Sequence, residues 1–305
     1  MGRFSFFGQA IPRIDPEDLK GKLIVIEGAD GVGRTTQIEL LKQSLEIEGY
    51  AVLVTRTTRS ALAGKKLRRA KKGTTLGRVT MALFYATDFA DRLEHEIIPA
   101  LKAGFIVLAD RYIYTLVARA LVRGIDPEWI RAVYSFALKP DRIFYLRAGV
   151  DDLVSRVLQK EGFDFWESGM DLHLGEDLFE SFVEYQNRMN GQFDKMVEDY
   201  GFKVIDAAHP IDEVFADLKA QLSEVLNPAR PLPTDSLGRL KQFRNSFTTR
   251  DSLSAESLEN SLRDANSGPS GELIFEPPRD EISASAPALS DDSAMNLRPL
   301  FSKVV

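Results

Sequence analysis

The chain contains no cysteine, which removes disulfides, thiolate nucleophiles and cysteine-ligated metals from consideration. Histidine is scarce: His95, His173 and His209 stand far apart with no ligand spacing, and each reads as an ordinary polar residue. No apolar run approaches the roughly 18 residues that a membrane-spanning helix needs. The opening stretch Met1-Gly2-Arg3-Phe4-Ser5-Phe6-Phe7 has neither a long apolar core nor a small-residue cleavage site. With a net charge of −6 over 305 residues, the chain lacks the positive excess that bulk nucleic-acid affinity requires. A cytoplasmic protein without membrane or nucleic-acid partners is the expectation.

What is present is a glycine-rich run, Glu27-Gly28-Ala29-Asp30-Gly31-Val32-Gly33-Arg34-Thr35-Thr36. It follows the apolar Leu23-Ile24-Val25-Ile26, which reads as a buried strand, and precedes Gln37-Ile38-Glu39-Leu40-Leu41, which reads as a helix. Strand, glycine-rich loop and helix in that order form the setting of a nucleotide phosphate site. Glycines let the backbone pass close to phosphate oxygens. Successive N–H groups then converge on the anion, and the helix N-terminus adds positive potential. Residues 28–36 are therefore the candidate nucleotide-binding segment, with the Thr35 hydroxyl where a magnesium ligand belongs. The usual lysine is replaced by Arg34, whose planar, permanently charged head is not equivalent. It suits either a clamp on two phosphate oxygens or firm nucleotide retention with poor transfer.

Strands are predicted at 22–27, 51–55, 105–109, 142–146 and 203–206, each short, apolar and bounded by Gly, Asp or Pro. Helical periodicity lies between them. Ile38, Leu41 and Leu45 share one face before Gly49, a helix is predicted from about 82 to 103, another follows Asp110, and Asp126-Pro127-Glu128 opens a further one. Alternating strands and helices predict an α/β fold: a five-stranded parallel sheet with helices on both faces. Its ligand would lie beyond the carboxyl ends of the strands, where the glycine loop and Asp110-Arg111 both fall. The organisation is a lead-in at 1–20, one domain at 21–227 and a mostly disordered tail at 228–305, rich in Ser, Asn and Pro. The tail's apolar islands Leu273-Ile274-Phe275 and Leu297-Arg298-Pro299-Leu300-Phe301 are candidate docking segments for a protein partner, and a weak helix at 234–264 is a further option.

Four stretches taken together resemble the thymidylate kinase family of P-loop nucleoside monophosphate kinases. These are the loop Gly28–Gln37 with aspartate at its third position, Ala109-Asp110-Arg111-Tyr112, the Pro140-Asp141 before the fourth strand, and Val204-Ile205-Asp206-Ala207. The resemblance covers about residues 22–226. It implies a P-loop NTPase-type three-layer fold, ATP and magnesium as donor and metal, a nucleoside monophosphate (dTMP above all) as acceptor, and a homodimer. It also implies residue roles. Thr35 and Asp110 would hold the metal, and Asp30 the acceptor sugar or the metal. Arg34 would carry charge during transfer, Arg111 and Arg56 would grip the acceptor phosphate, and Tyr85 would stack on the base.

Departures from the family pattern fall around the base. Thr57-Thr58-Arg59-Ser60 replaces a Glu-Pro-Gly-Gly, Phe89 stands where an arginine follows Ala-Asp with Arg92 one turn further on, and Arg119-Ala120 replaces Tyr-Gln. Phe89 and Arg119 therefore join Arg56, Tyr85 and Arg111 as the candidate acceptor-binding set. The lid, about 160–178, has Lys160 and no arginine, leaving Arg34 or Arg156 to supply that charge. From Arg59 to Arg78 basic residues recur at 59, 65, 66, 68, 69, 71, 72 and 78 with no acidic one. This run reads as a solvated helix face, with a phosphate-rich ligand such as polyphosphate as the alternative. Two functions remain open at this point: phosphoryl transfer from ATP to a nucleoside monophosphate, and nucleotide-dependent regulation with weak turnover through a tail-bound partner.

Overall fold

Leu23 to Ile26 are all buried, as a strand covered on both faces must be. In the computed structural model, which describes residues 4–71, 76–159, 163 and 165–226, they form the core of β1 (Lys22–Gly28). β2 (Val52–Arg56), β3 (Ile106–Asp110), β4 (Arg142–Arg147) and β5 (Lys203–Asp206) complete a sheet in the order β2-β3-β1-β4-β5. Every pairing is parallel. All five predicted strands are present, and the domain is α/β with the expected three layers. The tail from 228, with its apolar islands and the helix considered at 234–264, lies outside the described residues, as does Lys160 of the lid.

Alternation along the strands gives the sheet two apolar faces. Leu23, Val25, Val107, Ala109, Ile143 and Tyr145 face one core. It is covered by α3 (Arg78–Arg92), α4 (Ile98–Lys102), α5 (Ile113–Val122) and α8 (Leu178–Tyr200). Ile24, Ile26, Ile106, Leu108, Phe144 and Leu146 face the other, which is covered by α1 (Arg34–Ile47), α7 (Val150–Leu158) and α9 (Ile211–Leu226). Ile38, Leu41 and Leu45 of α1 are buried as their spacing predicts.

Two smaller helices shape the rim. α2 (Gly64–Ala70) buries Leu67 and Ala70 and exposes Lys65, Lys66, Arg68 and Arg69. α6 (Pro127–Val133) starts at the predicted Asp126 cap, whose Oδ1 accepts from Trp129 N–H at 2.8 Å. The helix predicted over 82–103 is a continuous rod with an interruption. A wider π turn at Leu93–Ile97 separates α3 from α4, immediately before Pro99, which has no N–H to offer the preceding turn. The lead-in packs rather than trails. Phe4 and Phe6 are buried, and Phe7 and Gly8 donate backbone bonds to Ala137 and Ser135 at 3.0 and 2.7 Å.

Candidate active site

β1 ends at Gly28, whose φ of 146° and near contact with β4 admit no side chain: a Cβ there would lie 2.6 Å from the Leu146 carbonyl oxygen. The loop closes at Gly33, in the left-handed region with φ 100°, and α1 begins at Arg34. α1 thus presents its first N–H groups, which have no partner within the helix, beyond the carboxyl end of β1.

Arg34 lies across this loop. Its Nε donates to Asp110 Oδ1 at 2.9 Å, its Nη1 reaches the carbonyl oxygens of Gly28 and Ala29, and its Nη2 is 3.8 Å from Asp30. Asp110 stands at the end of β3, directly beside Ile26 of β1 and Arg56 of β2 in register. Its other oxygen accepts from Thr35 Oγ1 at 3.4 Å and faces Arg56 Nε at 3.6 Å. Burial pushes the Asp110 carboxyl up, but Arg34, Arg111 and Arg56 outweigh burial and hold it below its usual value. The register of β1, β2 and β3 and the start of α1 thus gather Asp110, Thr35, Arg34 and Arg56 at one point.

The next residue, Arg111, has φ 68°, a conformation that costs a non-glycine residue about 1 kcal/mol or more. It turns the side chain onto Asp30, which pairs with Arg111 Nη2 and, at 3.4 Å, with Arg119 Nη2. Arg119, on α5, also donates to the Tyr85 hydroxyl at 3.2 Å and lies 3.4 Å from Glu167. Lys71, just past α2, closes the ring through a 2.6 Å ion pair with Glu167. Five cations (Arg34, Arg56, Arg111, Arg119 and Lys71) meet three carboxylates (Asp30, Asp110 and Glu167), so positive charge is in excess. Among the described residues nothing accepts from the buried Nε of Arg111 or of Arg119. The two guanidinium groups are therefore held mainly by their Nη atoms.

Of the sequence candidates, Asp30, Arg34, Thr35, Arg56, Tyr85, Asp110, Arg111 and Arg119 come together. Phe89 does not. It is fully buried, with its ring 4.9 Å from Tyr112 and 5.9 Å from Tyr134, so it packs the core and does not line the cleft. Arg92 is also elsewhere. It is buried with Asp88 at 3.1 Å, and Asp88 in turn accepts the N–H groups of Thr58 and Ser60. That pair anchors the loop whose sequence departs from the family pattern. Arg156 of α7 donates to the carbonyl oxygens of Val32 and Ala207 at 3.3 and 2.9 Å, joining the glycine loop to the segment after β5.

Sequence reasoning passed over three residues. Lys71 was one charge in a long basic run, and only the turn after α2 singles it out. Arg123 clamps the lid side. It pairs with Asp171 through two 2.9 Å bonds, donates to the Tyr185 hydroxyl at 2.7 Å and stacks 3.7 Å over Trp166. Glu27, an acid in an apolar strand, carried a signal that was available.

A glycine loop at a helix N-terminus, a hydroxyl and carboxylate beside it, and an arginine cluster opposite describe a site for two phosphate-bearing molecules. The family model for thymidylate kinase matches residues 26–218 of this chain. The chain belongs to the thymidylate kinase family. It is 38% identical over 212 residues to the probable thymidylate kinase 2 of Saccharolobus solfataricus, covering 68% of this chain and 99% of that protein. It is 31% identical over 215 residues to the probable thymidylate kinase of Pyrococcus horikoshii, covering 68% and 98%. A thymidylate kinase of Brachyspira hyodysenteriae is 31% identical over 180 residues, covering 58% and 89%. Family membership makes this protein a nucleoside monophosphate kinase, a phosphotransferase with ATP as donor. Among the described residues no helix is long and apolar enough to cross a membrane.

Proposed function

We propose that this thymidylate kinase family member transfers the γ-phosphoryl group of ATP to dTMP, giving ADP and dTDP, in the cytoplasm. The observation that carries the reading is the opposed pair of anion sites: the glycine loop on one side of Asp30 and the Arg111–Arg119 pair on the other. Two anionic phosphates repel, so bringing them into line is the main task, and positioning with electrostatic stabilisation accomplishes it.

In this reading residues 28–36 cradle the ATP phosphates. Arg34 is close enough to Asp110 to exchange that partner for a phosphate oxygen as charge develops. Arg111, Arg119 and Arg56 receive the acceptor phosphate, and Tyr85 bounds the base. Asp30 keeps Arg111 and Arg119 turned toward the loop. Glu167 ties the lid to the same cluster through Arg119, and Lys71 pairs with it from the end of α2. Nothing in the cluster or among the relatives favours regulation without turnover.

A metal fits this donor set. Among the described residues no group of three His, Cys, Asp or Glu side chains is arranged to hold an ion alone. Magnesium ordinarily takes one or two protein oxygens, with substrate phosphates and waters supplying the rest. Thr35 Oγ1 and the Asp110 carboxylate are such oxygens. The ion would neutralise charge on the ATP phosphates.

ADP production from MgATP is the test, with dTMP, dUMP, UMP, CMP, AMP and GMP offered separately. The expected result is turnover that strongly favours dTMP. Preference for another monophosphate would move the acceptor. Absence of turnover with all six, in protein that binds ATP, would overturn the reading.

A further inference from the structure

Glu27 is fully buried, one residue before the glycine loop, on the β1 face it shares with Leu23 and Val25. None of the roles above uses it. Its Oε1 accepts from the N–H of Tyr112 at 2.8 Å and of Thr115 at 3.3 Å, and its Oε2 accepts from Thr115 Oγ1 at 2.5 Å. Tyr112 is the N-cap residue of α5, and its own side chain makes no capping bond. It points elsewhere, donating its hydroxyl to the Leu138 carbonyl at 3.0 Å. Glu27 therefore does from another strand what a capping Ser or Asp ordinarily does from within the helix.

The geometry around Arg111 gives this cap a further consequence. Arg111 sits with φ 68° between Asp110 and Tyr112. Its own N–H donates to the Ile26 carbonyl at 3.1 Å, and the following N–H donates to Glu27. Two adjacent residues of β1 thus hold the strained residue from both sides. Thr115 and Arg119 are four residues apart and share a face of α5. One carboxylate fixes the backbone from which both arginines reach Asp30.

We propose that Glu27 is a positioning residue for the acceptor: it caps α5 from the glycine-loop strand and aims Arg111 and Arg119 at the monophosphate. This rests on the proposed reaction, in which those arginines bind the acceptor phosphate. It also explains how donor and acceptor sites keep their spacing, because Glu27 and the phosphate loop are consecutive in one strand.

The test compares the full-length protein with Glu27→Gln, Arg111→Ala and the double variant. It measures KM for dTMP and for ATP and, by calorimetry, Kd for dTMP. Glu27→Gln keeps the shape but weakens the acceptor. The expected result is a rise of about tenfold in KM and Kd for dTMP, with KM for ATP unchanged within about twofold. In the Arg111→Ala background the same change should cost less than it does in the parent, the remainder being the share that Glu27 exerts through Thr115 and Arg119. Thr115→Val, which removes one donor, should move dTMP binding in the same direction and serves if Glu27→Gln does not fold. Unchanged dTMP affinity, an equal effect on ATP, or a lowered Tm with unmoved kinetics would overturn the proposal. Parent protein that binds dTMP without turnover would overturn the kinase reading, while the Kd comparison still decides Glu27. Where another of the six monophosphates is the acceptor, the same comparison is made with it; parent protein that neither binds nor phosphorylates any of the six would overturn both.

Discussion

Asp30 shows how a half-buried acid in this site is kept charged. Burial pushes its carboxyl up, but Arg111, Arg119, Arg34 and Lys71 outweigh burial and hold it well below the usual carboxylate range. A folded-state value below the unfolded value of about 3.9 means that ionised Asp30 stabilises the fold above that pH. The contribution is lost as pH falls through the folded value. Asp30→Asn should therefore be less stable than the parent near neutrality by about 3 kcal/mol, the scale of breaking a buried pair. The gap should narrow below about pH 4, and urea midpoints across that range check it. That Asp30, Thr35, Asp110 and Arg111 would meet was legible in the sequence, because the loop after β1, the start of α1 and the end of β3 all fall at the carboxyl end of the sheet. Phe89 was misplaced for a physical reason. Phe89 shares a helix face with Tyr85 but sits one turn, about 6 Å, further along the axis, and only the packed structure shows that Tyr85 reaches Arg119 while Phe89 packs on Tyr112.

Elements carry their own energetics, and the Asp88–Arg92 pair of α3 is the clearest case. Both side chains are almost fully buried, and Asp88 also holds the backbone of Thr58 and Ser60. Asp88→Ala would strand a buried guanidinium, an expected loss of about 3–5 kcal/mol in denaturant unfolding. Replacing both partners with apolar residues should recover only part of that loss, because the N–H groups of Thr58 and Ser60 would still lack their acceptor, whereas a surface pair would show neither effect. All five strands were legible because continuous apolar runs bounded by Gly, Asp or Pro have few alternatives in an α/β chain. The π turn before Pro99 was not, since one missing N–H does not say whether a rod bends, ends or widens. The basic run at 59–78 was read as a solvated face, and Lys65, Lys66, Arg68 and Arg69 are exposed. Lys71 escapes that description because α2 ends before it and lets it turn toward Glu167.

At the scale of the whole molecule, both sheet faces and every residue of the cluster lie between Phe4 and Leu226. Removal of residues 228–305 should leave the rate of dTMP phosphorylation and the Tm nearly unchanged, and parallel assays of the two chains check this. A large loss of either would mean that the segment contributes to the domain. The strand order has a consequence for how the protein is made. β1 is central, yet its neighbours β3 and β4 arrive about 80 and 120 residues later in the chain. During synthesis the glycine-loop strand emerges before both partners and waits for them with two unpaired edges and two apolar faces. A nascent chain holding only the loop and α1 has no Asp110 and no Arg111 to complete the site. The site can therefore be completed only once β3 has paired with β1, and the sheet only once β4 and then β5 have followed.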